Sequence, residues 1–177
     1  MAKKDSEYDQ VLKLVAVGDG AVGKTSLIRR WADNKFQKSY LKTIGVDITE
    51  KSVTLKGKKL KIVVWDLAGQ ESYKSYRSPF YAGTQAIMVV ADVTNPTTFD
   101  NLTSWQEEIS KFVGIKVPTI FFANKCDLAG IRTVEKNQII SVGKHLGLKE
   151  DQIFETSALE GTNVLDAFTK IAEMSLQ

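Results

Sequence analysis

A glycine-rich run, Gly18-Asp19-Gly20-Ala21-Val22-Gly23-Lys24-Thr25 followed by Ser26, has the spacing G-x-x-x-x-G-K-[ST]. That pattern suits the binding of phosphates. Glycines let the backbone turn its N–H groups inward around an anion, and a following helix N-terminus favours negative charge. Lys24 offers a point charge to β- and γ-phosphates, and the Thr25 hydroxyl is a suitable oxygen ligand for magnesium (Mg2+).

Farther along, Asp66-Leu67-Ala68-Gly69-Gln70-Glu71 adds a carboxylate, a glycine and an amide. A carboxylate at the end of a neighbouring strand is what a phosphate-loop protein needs to hold magnesium through its water shell. Gly69 has no Cβ to keep its N–H away from a terminal phosphate. Gln70 is both donor and acceptor, so it can orient a water for in-line attack and is the candidate catalytic residue. A third stretch, Asn124-Lys125-Cys126-Asp127, points to the base. The Asp127 carboxylate only accepts, and guanine N1 and N2 are a pair of donors that adenine lacks on that edge. Asn124 either binds N7 or ties loops together, and the Lys125 stem can lie along the base. In Glu155-Thr156-Ser157-Ala158-Leu159 the Ala158 amide suits guanine O6, with Ser157 and Leu159 shaping the loop. A single turn of this kind would be unremarkable, but four in this order point to GTP and GDP.

Such loops need strands to hold them. Short apolar runs at 11–17, 46–55, 60–66, 86–91, 117–123 and 152–155 read as six strands, with Lys56-Gly57 as a hairpin turn between the second and third. Helical periodicity appears at 24–33 and near 98–112, 134–146 and 162–174. Strands alternating with helices imply an α/β fold with helices on both faces of a six-stranded, mostly parallel sheet with one antiparallel strand. In such sheets ligands sit beyond the carboxyl ends of the strands, where these loops fall. Residues 1–9 read as a flexible N-terminal extension and 10–177 as one domain.

Composition narrows the function further. The 177 residues are 43% hydrophobic and 25% charged, an ordinary globular balance, and no apolar run is long enough to span a bilayer. The N-terminus lacks the apolar core of a secretory signal, and Ala2 stands where myristoylation needs glycine. The single cysteine, Cys126, excludes an intrachain disulfide and suits a reducing, cytoplasmic setting. With one histidine, His145, a zinc site or Ser-His-Asp triad has little to work with. Net charge is only +3, and Lys56, Lys58, Lys59 and Lys61 read as a solvated turn, with no nucleic acid expected as a partner.

Taken together, these motifs resemble the Ras superfamily of small GTPases over nearly the whole chain, with the Rab branch the nearest match. Tyr40-Leu-Lys-Thr43-Ile-Gly-Val-Asp-Ile48 looks like its switch I and Trp65-Asp-Leu-Ala-Gly-Gln-Glu71 its switch II. The resemblance implies a three-layer phosphate-loop G domain. Thr43 would join Thr25 and Asp66 at magnesium, Phe36 would pack on guanine and Tyr40 would close over the phosphates. Trp65 would join Ile48 and Tyr81, or Phe80, in a partly exposed apolar patch. The sequence departs from the Rab pattern at Ile48, Leu67, Ser72 and at Leu159, itself expected among the nucleotide-binding residues, and none of these changes removes a nucleotide ligand. The implied protein is a monomeric switch that hydrolyses GTP slowly and binds effector proteins in its GTP state. Lys38 and Lys42, with no arginine, flank switch I, so an activating protein and an exchange factor are expected. No C-terminal cysteine is present to carry a prenyl group, so membrane contact is expected only peripherally, through a further tail or a partner. Two alternatives remain at this point. Asn124–Asp127 argue against a phosphate-loop kinase or ATPase, and Gln70 and Thr43 against a catalytically dead binding module.

Overall fold

The computed structural model describes residues 7–36, 43–114 and 116–176. Six strands form one sheet: β1 Gln10–Val17, β2 Val46–Leu55, β3 Lys58–Leu67, β4 Ala86–Asp92, β5 Thr119–Asn124 and β6 Ile153–Thr156. Their spatial order is β2-β3-β1-β4-β5-β6. Only β2 and β3 run antiparallel, joined by the turn Lys56-Gly57, where both residues have positive φ (51° and 78°). That is the geometry a two-residue hairpin demands, and glycine meets it without strain.

Strand alternation divides the interior in two. Leu12, Leu14 and Ala16 of β1 face a core shared with helix α1 (Lys24–Asp33) and helix α6 (Val164–Ser175), where Trp31 stacks on Phe168 at 4.4 Å. Val15 and Val17 face the opposite core, beneath α4 (Leu102–Val113) and α5 (Lys136–His145), with Trp105, Phe121 and Ile139. Helices on both faces of the sheet give the three layers anticipated from the strand–helix alternation.

Several elements differ from the sequence reading. The helix expected near 98–112 is divided at Asn101 into α3 (Thr97–Asp100) and α4, with the Asn101 side chain turned toward Asp19. β5 begins at Thr119, after Pro118, which has no N–H for the ladder. Between β3 and β4 lies an unanticipated one-turn helix, α2 (Lys74–Arg77), flanked by 3-10 turns at Glu71–Tyr73 and Ser78–Tyr81. Its sequence has no sustained apolar period, and Pro79 lies in the 3-10 turn that follows it. Of the expected extension, residues 1–6 lie outside the described residues, while Asp9 exchanges bonds of 2.8 and 2.6 Å with the Lys59 backbone. Three lysines of the basic hairpin are paired: Lys56 with Glu173, Lys59 with Glu7 and Lys61 with Glu50. No described helix is long and apolar enough to cross a membrane.

Candidate functional site

The loops leaving β1, β3, β5 and β6 meet at the carboxyl edge of the sheet, next to the point where the chain switches from one side of β1 to the other. A cleft of about 290 Å3 opens there. Gly20, Ala21, Gly23, Lys24, Thr25 and Ser26 form its floor. Gly69, Gln70 and Thr43 also line it, together with Phe36, Asn124, Lys125, Asp127, Ala158 and Leu159. A larger cavity of about 800 Å3, near Ile87 and Leu146, contains none of the predicted residues.

The phosphate loop is shaped by its neighbours. A Cβ on Gly18 would lie 2.2 Å from the Val90 carbonyl oxygen, and one on Gly23 would lie 2.3 Å from Asn124 Nδ2. Both residues have positive φ, so glycine is required on both counts. The Lys24 ammonium is buried and donates to the carbonyls of Gly18 (2.7 Å) and Asp19 (2.8 Å). Burial pushes its pKa down to about 8, while Asp66 and Asp19 pull the other way. An ammonium held among carbonyls with few counter-charges is poised for an anion.

Beside it, three oxygen-bearing side chains converge. Thr25 Oγ1 donates to the Asp66 carboxylate and lies 3.0 Å from Thr43 Oγ1. Asp66 is 3% exposed, and its Oδ1 has no hydrogen-bond partner among the described residues. Burial raises its pKa, with Lys24 and the Thr25 bond opposing. A buried carboxylate with an orphaned oxygen beside two hydroxyls fits a hydrated magnesium ion, which takes few protein ligands and keeps waters and phosphate oxygens.

The 68–70 segment is pressed onto the phosphate loop. A Cβ on Gly69 would lie 2.2 Å from Gly18 O, and one on Gly20 would lie 3.3 Å from Gln70 Cγ. Ala68 N donates to Gly45 O at 2.9 Å, joining this segment to the one carrying Thr43. Tyr40, Lys38 and Lys42 lie outside the described residues.

At the base end, the Asn124 side chain bridges neighbouring loops. It is 1% exposed; its Nδ2 donates to Val22 O (2.9 Å) and its Oδ1 accepts from Thr156 Oγ1 (3.2 Å). It therefore ties three loops together. Lys125, at φ 69°, pairs with Asp92 at 2.5 Å, which lays its stem along the cleft. Ser157 Oγ accepts from Glu160 N at 3.0 Å and braces its loop, and Arg30 on α1 donates to the carbonyls of Ala158 and Leu159. Gly18, Val22, Ser157 and Asp66 thus stand behind the lining and support it.

Asp92, Thr156 and Arg30 were not singled out from the sequence. Asp92 closes a strand and was discoverable by reading every strand end. Thr156 and Arg30 act on partners 32 and 128 residues away, where no local pattern points. The apolar patch also needs correcting. Tyr81 is buried with its hydroxyl on Glu108, and it is Phe80 that meets Trp65, at 6.1 Å between ring centres. Ile48 pairs with Trp65 across the β2–β3 ladder and is 47% exposed, while Lys13 Nζ lies 3.9 Å from the centre of the Trp65 ring.

Comparison with known proteins agrees with this geometry. The Ras family model matches residues 13–177. Ras-related protein Rab-13 of Canis lupus familiaris is 39% identical over 165 residues, covering 93% of this chain and 80% of that protein. The Bos taurus Rab-13 is 38% identical over the same shares. Ras-related protein Rab-1C of Dictyostelium discoideum is 37% identical over 166 residues, 94% of this chain and 81% of its own length.

Proposed function

The chain belongs to the Ras family and is a Rab-like GTPase, and from that premise we propose that the cleft between the phosphate loop and Asn124–Asp127 is its guanine-nucleotide site. The observation that supports this most directly is that the glycine-rich loop with Lys24 and Thr25 shares one cleft with Asp127, while the buried, orphaned carboxylate of Asp66 stands behind it bonded to Thr25.

In this reading the glycine-rich backbone and Lys24 hold the phosphates, and Asp127 takes the guanine N1 and N2 hydrogens. Thr25, Thr43 and Asp66 would hold magnesium, which would supply positive charge to offset the charge that develops on the phosphates. Gln70 orients the attacking water for in-line displacement at the γ-phosphorus, leaving GDP and phosphate. Loss of the γ-phosphate releases the segments carrying Thr43 and Gly69. The half-buried Trp65, Ile48 and Phe80 then report the change to effector proteins, in keeping with a role in membrane trafficking. With no arginine of its own in switch I, the protein hydrolyses GTP slowly until an activating protein supplies one, a contribution of about 10³–10⁵ in rate.

Gln70→Leu tests the catalytic assignment. An amide that acts only in the transition state shows in the single-turnover rate and not in affinity. Hydrolysis should fall sharply with GTP binding retained. A wild-type rate removes Gln70 from the mechanism.

A further inference from the structure

The cleft chemistry leaves one buried charged network unused. Arg77 and Glu108 are 2% and 7% exposed. They form a bidentate pair, Nε to Oε1 at 2.8 Å and NH2 to Oε2 at 2.7 Å. The Tyr81 hydroxyl also donates to Oε1, at 2.8 Å. The remaining guanidinium nitrogen, NH1, donates to the carbonyls of Ala68 (3.1 Å) and Gln70 (3.2 Å), which flank Gly69. The guanidinium lies 4.2 Å from the centre of the Trp105 ring, whose Nε1 donates to Asp19 Oδ1 at 2.8 Å. Asn101 donates to the other Asp19 oxygen at 2.6 Å. Asn101, Trp105 and Glu108 recur at i, i+4 and i+7, so they line one side of the α4 helix.

Buried ion pairs seldom add stability that a well-packed apolar cluster would not match. What apolar side chains lack is a planar fork that satisfies a carboxylate on one edge and two carbonyls on another, a geometry lysine also lacks. That fork references the loop carrying Gln70 to the side of α4 from which Asn101 and Trp105 hold Asp19 of the loop cradling phosphate.

We propose that Arg77, oriented by Glu108, is the positioning residue that holds Gln70 against the phosphate loop for hydrolysis. This rests on Gln70 being the water-orienting group.

The test replaces the network with apolar groups of similar volume, Arg77→Met/Tyr81→Phe/Glu108→Leu, in full-length protein with magnesium and GTP. Melting temperature, GTP affinity and single-turnover rate are measured with and without Gln70→Leu. A displacement of about 1 Å at a reacting group can cost on the order of 100-fold, so the triple variant should slow at least about tenfold while binding GTP like the parent. Added to Gln70→Leu, it should slow hydrolysis no further, because it acts through that residue. Arg77→Lys should not restore the rate. A folded triple variant with the parent rate, or one that slows Gln70→Leu as much as it slows the parent, overturns the proposal. A parent rate in Gln70→Leu alone overturns the reading of Gln70 itself and the proposal with it, a pattern distinct from additivity. Should the triple variant not fold, Glu108→Gln keeps the shape and removes the charge. It should slow the parent but not Gln70→Leu, and an unchanged parent rate overturns the proposal.

Discussion

Truncating Asn124 is expected to loosen the whole cleft, although its side chain makes only two hydrogen bonds among the described residues. Asn124→Ala leaves Val22 O and Thr156 Oγ1 without partners, and both residues are buried, at 1% and 0% exposure. An orphaned buried polar group costs about 1–3 kcal/mol, and the Thr156 hydroxyl can rotate to recover part of that. The combined penalty is therefore about 2–4 kcal/mol. If it falls on the arrangement that binds nucleotide, affinity drops about 30- to 1,000-fold at roughly 1.4 kcal/mol per decade. For a domain of this size each kcal/mol also lowers the melting temperature by roughly 2–4 °C. The assay pairs urea denaturation of nucleotide-free protein with dissociation of a fluorescent GDP analogue. Thr156→Val removes only the second partner and should cost about half as much, and adding it to Asn124→Ala should cost less than the sum because the pair is in contact. Stability and GDP dissociation both unchanged in Asn124→Ala would refute the loop-tying role.

Thr25→Asn replaces the hydroxyl bonded to Asp66 with a bulkier amide, and GTP should suffer more than GDP because its extra phosphate would depend more on the magnesium that Thr25 would help hold. Equal loss of both nucleotides, measured by competition with and without magnesium, contradicts that placement. Tryptophan emission from a Trp31→Phe/Trp105→Phe background isolates Trp65, which should shift between GDP and a non-hydrolysable GTP analogue. The background loses the Trp105 bond to Asp19, so its GDP affinity is measured first. Identical spectra in both states argue that Trp65 is static core.

The strands and the four loops are legible in the sequence because each is local. The spacing of Gly18 to Thr25 specifies a cradle, and alternation along Leu60–Trp65 puts Trp65 and Asp66 on opposite faces. The burial of Asp66 beside the half-exposed Trp65 agrees with that alternation. Legibility ends where two distant side chains must meet. Nothing near Arg77 announces Glu108, 31 residues away, and the one-turn helix that carries Arg77 is too short to leave a periodic trace. The choice between Tyr81 and Phe80 fails for the same reason: in a 3-10 turn, adjacent residues diverge, and the partners that receive Tyr81, Glu108 and Phe112, are 27 and 31 residues away.

The central claim is that this cleft reads guanine through Asp127, and it is tested most directly by exchanging that carboxylate for an amide. Asp127→Asn puts a donor opposite guanine N2, where xanthine instead offers the O2 acceptor. Competition binding with GTP, xanthosine triphosphate and ATP should show GTP affinity falling by about 1–3 kcal/mol, xanthosine triphosphate rising above it and ATP remaining weak. GTP affinity unchanged in Asp127→Asn, with no gain for xanthosine triphosphate, contradicts the account.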